Sequence, residues 1–274
     1  MPFAAHASGK PPVMDAKPLP TYRTPPLNEV VCGVVFEPIK DLLVPHVGLF
    51  WESIADTYPR IEQVPIIGDF GEFLQRDGYV APRIWLISRD DDHLVQIQQN
   101  RLHFNWRRRD SDYPRFSTVY ANFKDCLDRF SSFIDERNLG QIVRTQYELS
   151  YINVITKDAA WNSFGDFSSV FPDIRWRTSV DESSRFLPPP TSLLWHVSVP
   201  LPHGRGEGTI KVQSAKTVQT NDDVLRAEFA AVGPAKQQDL DDLDTWFDAA
   251  HTWAVRAFED ITSESAQQEL WGKL

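Results

Sequence analysis

Apolar positions along the chain recur with two different periods, and the switches between them divide it into strands and helices. Residues 27–36, Leu-Asn-Glu-Val-Val-Cys-Gly-Val-Val-Phe, are rich in β-branched side chains and meet no breaker until Pro38, which predicts a buried first strand. Over 42–58, Leu43, Val47, Phe50, Trp51, Ile54 and Ala55 return at steps of three and four, one face of a helix that Pro59 closes. Pro65, Gly68, Gly71 and Gly78 mark a loop with a short helix around 70–76. A strand at 83–88 and a turn at Asp90-Asp91-Asp92 come next.

The clearest alternation is at 94–98 and 102–106. Val95 and Ile97 are interleaved with glutamines, and Leu102, Phe104 and Trp106 with His103 and Asn105, the two strands joined through Gln99-Asn100-Arg101. After Pro114, Phe116, Val119, Tyr120, Phe123, Leu127, Phe130 and Ile134 predict a helix over 116–137, with Gly140 beyond it as a stop. Residues 142–156 form a long strand with Tyr147, Leu149, Tyr151, Asn153 and Ile155 on one face. The stretch 157–191 is mixed and ends in Pro188-Pro189-Pro190. Strands at 192–199, 209–217 and 224–232 precede a helix over 240–261 and a short turn towards Leu274.

The resulting order is β-α-β-β-β-α, then β, then β-β-β-α, two halves of one plan at about 25–140 and 141–274. Strands joined by short turns pair antiparallel, and long amphipathic helices must cover a sheet face. The expected fold is therefore α+β with two layers: a curved antiparallel sheet carrying long helices on one face, laid out like TATA-binding-protein or helix-grip folds. That likeness of layout does not imply DNA binding. Seven prolines among residues 1–27 block regular structure, so 1–24 is expected as a disordered or loosely draped tail before a single domain over 25–274.

Charge narrows the function. A net charge of −10 makes nucleic acid an unlikely partner, because polyanions are bound by basic surface. The excess is uneven. Residues 239–274 hold nine acidic and two basic groups, whereas 101–129 hold seven basic and four acidic ones. No apolar run reaches the roughly 20 residues of a membrane span, and the first 30 residues lack the pattern of a secretory signal, so a cytoplasmic protein is expected. Cys32 and Cys126 lie 94 positions apart, no C-x2-C or paired-histidine spacing occurs, and no metal or other cofactor is expected.

Candidate chemistry is sparse. No G-x-S-x-G occurs, and Gly204-Arg205-Gly206-Glu207-Gly208 joins two strands, so it reads as a hairpin loop and not a phosphate cradle. The run Asn105-Trp106-Arg107-Arg108-Arg109 is suited to holding a phosphate or carboxylate. Alternation equally sends Arg107 and Arg109 to one side, to pair with Asp110, Asp112 and helix carboxylates. On the terminal helix, His251 falls on the flank of the apolar face with Asp244 and Thr262, Asp248 lying farther out. A His beside carboxylates suits acid/base work, or a core-boundary hydrogen bond.

Several of these strings resemble a sporadically distributed family of uncharacterised bacterial proteins. They are Pro25-Pro26-Leu27-Asn28-Glu29-Val30, Leu102-His103-Phe104-Asn105-Trp106-Arg107, Tyr113-Pro114-Arg115, Tyr147-Glu148-Leu149-Ser150-Tyr151-Ile152-Asn153, and His251, Phe258 and Thr262 in the last helix. The resemblance implies no particular activity; a scattered distribution fits accessory genes, including defence or toxin–antitoxin loci. The leading expectation is a non-enzymatic binding or protein-interaction module, able to oligomerise, using the sheet face or the acidic helix. The alternative is an enzyme or small-ligand binder with a cavity between sheet and helices. The candidate binding residues are His103, Asn105, Trp106, Arg107, Tyr151, Asn153 and His251, and the candidate partners are another protein or a small anionic ligand. In the cavity alternative, Arg107, His103 and His251 are the polar anchors.

Overall fold

The computed structural model describes residues 17–68, 81–110, 112–157, 160–176, 186–188, 190–217, 220–235 and 242–274. The helix expected around 70–76, and Asp239 and Asp241 ahead of the terminal helix, lie outside them. The strands are β1 (Leu27–Phe36), β2 (Arg60–Val64), β3 (Arg83–Ile87), β4 (His93–Gln98), β5 (Arg101–Arg107), β6 (Arg144–Thr156), β7 (Leu194–Pro200), β8 (Glu207–Lys216) and β9 (Asp223–Pro234). The three longest helices described are α1 (Val44–Ile54), α2 (Phe116–Glu136) and α3 (Asp242–Ile261). These strands make one nine-stranded sheet in the order β2-β3-β4-β5-β1-β6-β9-β8-β7, every neighbouring pair antiparallel. The protein is α+β, as the periodicities predict.

The sheet has one strand more in its first half than expected. β2, Arg-Ile-Glu-Gln-Val, is almost wholly exposed at the sheet edge, so it shows no apolar alternation by which to recognise it. α1 is shorter than its apolar stripe, ending at Ile54 with a turn before Pro59. Arg101, expected in a turn, opens β5 opposite Gln98, which leaves Gln99-Asn100 as the two-residue hairpin loop.

The core lies between the sheet and the long helices. Val30, Cys32, Val34 and Phe36 of β1 face it with Leu102, Phe104 and Trp106 of β5 and Tyr147, Leu149 and Tyr151 of β6, all at most 8% exposed. α2 packs over β5 and β1, burying nine residues spaced by three and four. α3 packs over β6 and β9, and its small Ala250, Ala254 and Ala257 bring the helix close to the sheet. At one point the approach requires a glycine: a Cβ on Gly208 of β8 would sit 2.2 Å from the Trp253 ring.

Residues 17–24, the described part of the segment expected as a tail, form a strap across the end of α3. Its prolines keep it extended, and its remaining backbone groups find partners in the C-terminal segment. Tyr22 makes a β-bridge with Lys273, Arg23 and Thr24 donate to the carbonyls of Gly272 and Trp271 at 3.1 Å, and Leu274 donates to Thr21 at 2.9 Å. The Tyr22 ring meets Phe258 and Trp271 edge-on, and Arg256 of α3 donates to the carbonyls of Lys17 and Pro18.

Candidate ligand-binding site

The period of two in β5 and β6 decides which of the seven candidate residues can meet. Trp106, Tyr151 and Asn153 face the helices, where α3 adds His251. His103, Asn105 and Arg107 point to the opposite face. The anchor set of Arg107, His103 and His251 is therefore split by the sheet itself. A one-residue step along a strand reverses the direction of its side chain.

On that opposite face the three residues are committed to internal partners. His103, Gly33 and Glu148 lie in line across β5, β1 and β6, and the imidazole crosses over Gly33 so that Nε2 donates to Glu148 Oε2 at 2.6 Å. Burial pushes the Glu148 carboxyl up, but the hydrogen bond and charge of His103, together with Arg101, outweigh it and hold the group below its ordinary value. Asn105 donates to Glu29 at 2.6 Å and accepts from Gln96 at 2.8 Å, and the Gln96 carbonyl in turn accepts from the Trp85 indole at 3.0 Å. Among the described residues Arg107 and Arg109 do not pair with Asp110, Asp112 or a helix. Both reach back to Asp91 in the turn before β4, which Arg60 also contacts. The adjoining hairpins bring that turn within reach, and three guanidinium groups depress the Asp91 carboxyl against the upward push of burial.

On the helix face Trp106, Tyr151, Asn153 and His251 gather beside or in a cavity of about 420 Å³, in the range typical of small-molecule sites. Its walls come from the strap, β6, β9, the first residues of α2 and the middle of α3. Phe229 and Phe258 make apolar wall. Tyr113, Tyr151 and His251 form a polar chain along one side: the two phenol oxygens are 3.4 Å apart, and Tyr151 OH lies 2.8 Å from His251 Nδ1. Phe116 stacks on His251 at 4.2 Å, and Trp106 backs Tyr113 at 5.0 Å. Asn153 is 4% exposed and makes one long bond, 3.4 Å, to the Ala227 carbonyl. Tyr22, also on the wall, has a buried hydroxyl without a hydrogen-bond partner among the described residues.

Burial raises both Tyr113 and Tyr151 above their ordinary values and lowers His251 to about 4. At neutral pH this chain thus carries hydrogen-bonding capacity and no net charge. Asp244 bonds Tyr120 and Lys124 instead of His251, and the Thr262 hydroxyl donates to the Phe258 carbonyl one turn back, so the expected histidine–carboxylate flank does not form. Cys32 and Cys126 are buried free thiols, raised by burial away from reactivity. Sequence periodicity placed Phe116 in a helix stripe and gave Tyr113, ahead of Pro114, no position in a strand or helix. Their meeting with His251 depends on how α2 and α3 pack side by side, which no local pattern records.

The depressed His251 has a consequence for stability. The unfolded chain takes up this proton near pH 6.5 and the folded one only near pH 4. Its stabilising contribution is complete above 6.5 and lost as pH falls from 6.5 to 4, about 3 kcal/mol in all. In urea unfolding at pH 7 and pH 4, His251→Gln should lose about 3 kcal/mol less than the unmodified protein between the two. Equal losses would show that the imidazole is not held neutral.

No family model matches the chain, and no curated protein matches it.

Proposed function

We propose that the protein binds a small, mostly apolar molecule in the cavity between the sheet and the helices. The observation that carries this reading is the convergence of the neutral Tyr113–Tyr151–His251 chain on an apolar cavity walled on one side by the strap. The candidate anchors of the opposite face are each engaged by another side chain, His103 by Glu148, Asn105 by Glu29 and Arg107 by Asp91, which gives them less to offer a partner. The strand order supports reading the fold as two pseudo-symmetric halves in a TATA-binding-protein-like layout. From β1 the sheet runs outward through β5, β4 and β3, from β6 through β9, β8 and β7, and each half closes with a long helix. The cavity then lies near the junction of the halves, beside the central β1–β6 pair. A cytoplasmic location is part of this reading, supported by the two unpaired thiols; no helix among the described residues is long and apolar enough to cross a membrane.

The test uses 2-naphthol, a flat apolar probe with one hydroxyl. Saturable binding is expected, with a dissociation constant on the order of 0.1 mM, about 5.5 kcal/mol. Val255→Trp, which places a ring into the cavity from α3, should abolish it while leaving the far-ultraviolet circular dichroism unchanged; Ser117→Trp, on the wall supplied by α2, is the second variant. Absence of saturable binding, or equal binding by both variants, would overturn the reading.

A further inference from the structure

The cavity wall carries two charged side chains of opposite sign. Arg115 immediately precedes Phe116 at the start of α2, and Asp248 lies one turn before His251 on α3. Arg115 and Asp248 thus line one cavity from two helices, together with the stacked rings of Phe116 and His251. Neither side chain has an ion-pair or hydrogen-bond partner among the described residues, in contrast to the neighbouring Asp244, which is engaged by Tyr120 and Lys124. Arg115 holds φ at +78°, a conformation unusual for a residue with a side chain, at the point where the chain turns into α2. No side chain caps that helix and its first turn has no acidic residue, so its partial positive end stands beside the guanidinium.

We propose that the ligand is zwitterionic, an α-amino acid with a large apolar or aromatic side chain. Its carboxylate is received by Arg115 and the start of α2, its ammonium group by Asp248, and its side chain by the apolar wall around Phe229 and Phe258. This rests on the cavity reading above and adds the chemistry of the head group. Oppositely charged groups on two elements select a molecule that carries both charges and leave either singly charged analogue with one group unpaired.

The experiment compares four indoles by titration calorimetry on the full chain: tryptophan, tryptamine without the carboxylate, indole-3-propionate without the ammonium group, and uncharged 3-methylindole. Tryptophan is expected to bind about tenfold tighter than either singly charged analogue. Arg115→Gln should erase the gap between tryptophan and tryptamine, and Asp248→Asn that between tryptophan and indole-3-propionate. Both residues are exposed, so these variants should fold. If 3-methylindole or either singly charged analogue binds as tightly as tryptophan, and Val255→Trp abolishes that binding, the cavity stands and the zwitterion is wrong. If none of the four binds and 2-naphthol also fails, the cavity reading itself falls.

Discussion

Gly33→Ala should destabilise the protein by about 3 kcal/mol, lowering the melting temperature by about 6–12 °C. The added methyl group would lie 2.0 Å from His103 Cδ2 and 2.6 Å from Nε2, so the imidazole must leave its place over β1. It then loses Glu148, and a largely buried carboxylate is left with Gln146 at 2.7 Å and Arg101 at 4.0 Å. Breaking such a pair from one side costs more than the pair contributes, because the remaining charge stays desolvated. Since the effect passes through one ring, it should not add to the loss of that ring: in a His103→Ala background, Gly33→Ala should change stability by less than about 1 kcal/mol. Thermal unfolding of the four proteins closes the cycle, and an additive result would refute the steric account.

Phe247→Ala should cost about 3–5 kcal/mol, the largest single effect expected in the core. Phe247 is fully buried where α2, α3 and β6 meet, with ring centroids 5.0 Å from Tyr120, 5.2 Å from Phe123, 5.1 Å from Trp246 and 6.0 Å from Tyr147. Truncation leaves rings from three elements facing a void that none can fill without moving a helix. Phe247→Leu, which keeps most of the volume, should cost much less. Near-ultraviolet circular dichroism should weaken in the Ala variant, since the lost packing is aromatic. Retention of stability within 1 kcal/mol would mean that the two long helices do not depend on this junction.

The strands and helices that bury one face were legible from periodicity, because apolar spacing is imposed by the core: β1, β4, β5, β6 and the stripes of α2 and α3 fall where the sequence placed them within a few residues. β2 was not, since an exposed edge strand has no buried face to write into its sequence. The candidate residues show the same division. Tyr151 and Asn153 were marked as sharing a strand face, and His251 as lying on the flank of a helix, and these three line the cavity. His103, Asn105 and Arg107 drew attention as polar groups amid apolar ones, but their partners are supplied by β1, β4, β6 and the turn at Asp91, distant in sequence. The strap was illegible for another reason. Proline-rich sequence specifies extended backbone and leaves open whether a surface exists for it to lie on; here the surface is made by the last residues described.

That arrangement sets an order of events in synthesis. Thr21 is among the first described residues to emerge and Leu274 the last, yet the hydrogen bond between them helps fix the outer wall of the cavity. Until residues 271–274 are made, the strap lacks these backbone partners. A newly made chain can hold every other wall residue in place and still have an open side. Only a chain translated through residues 271–274 can form these bonds, so full seating of the strap distinguishes chains that contain them from shorter ones.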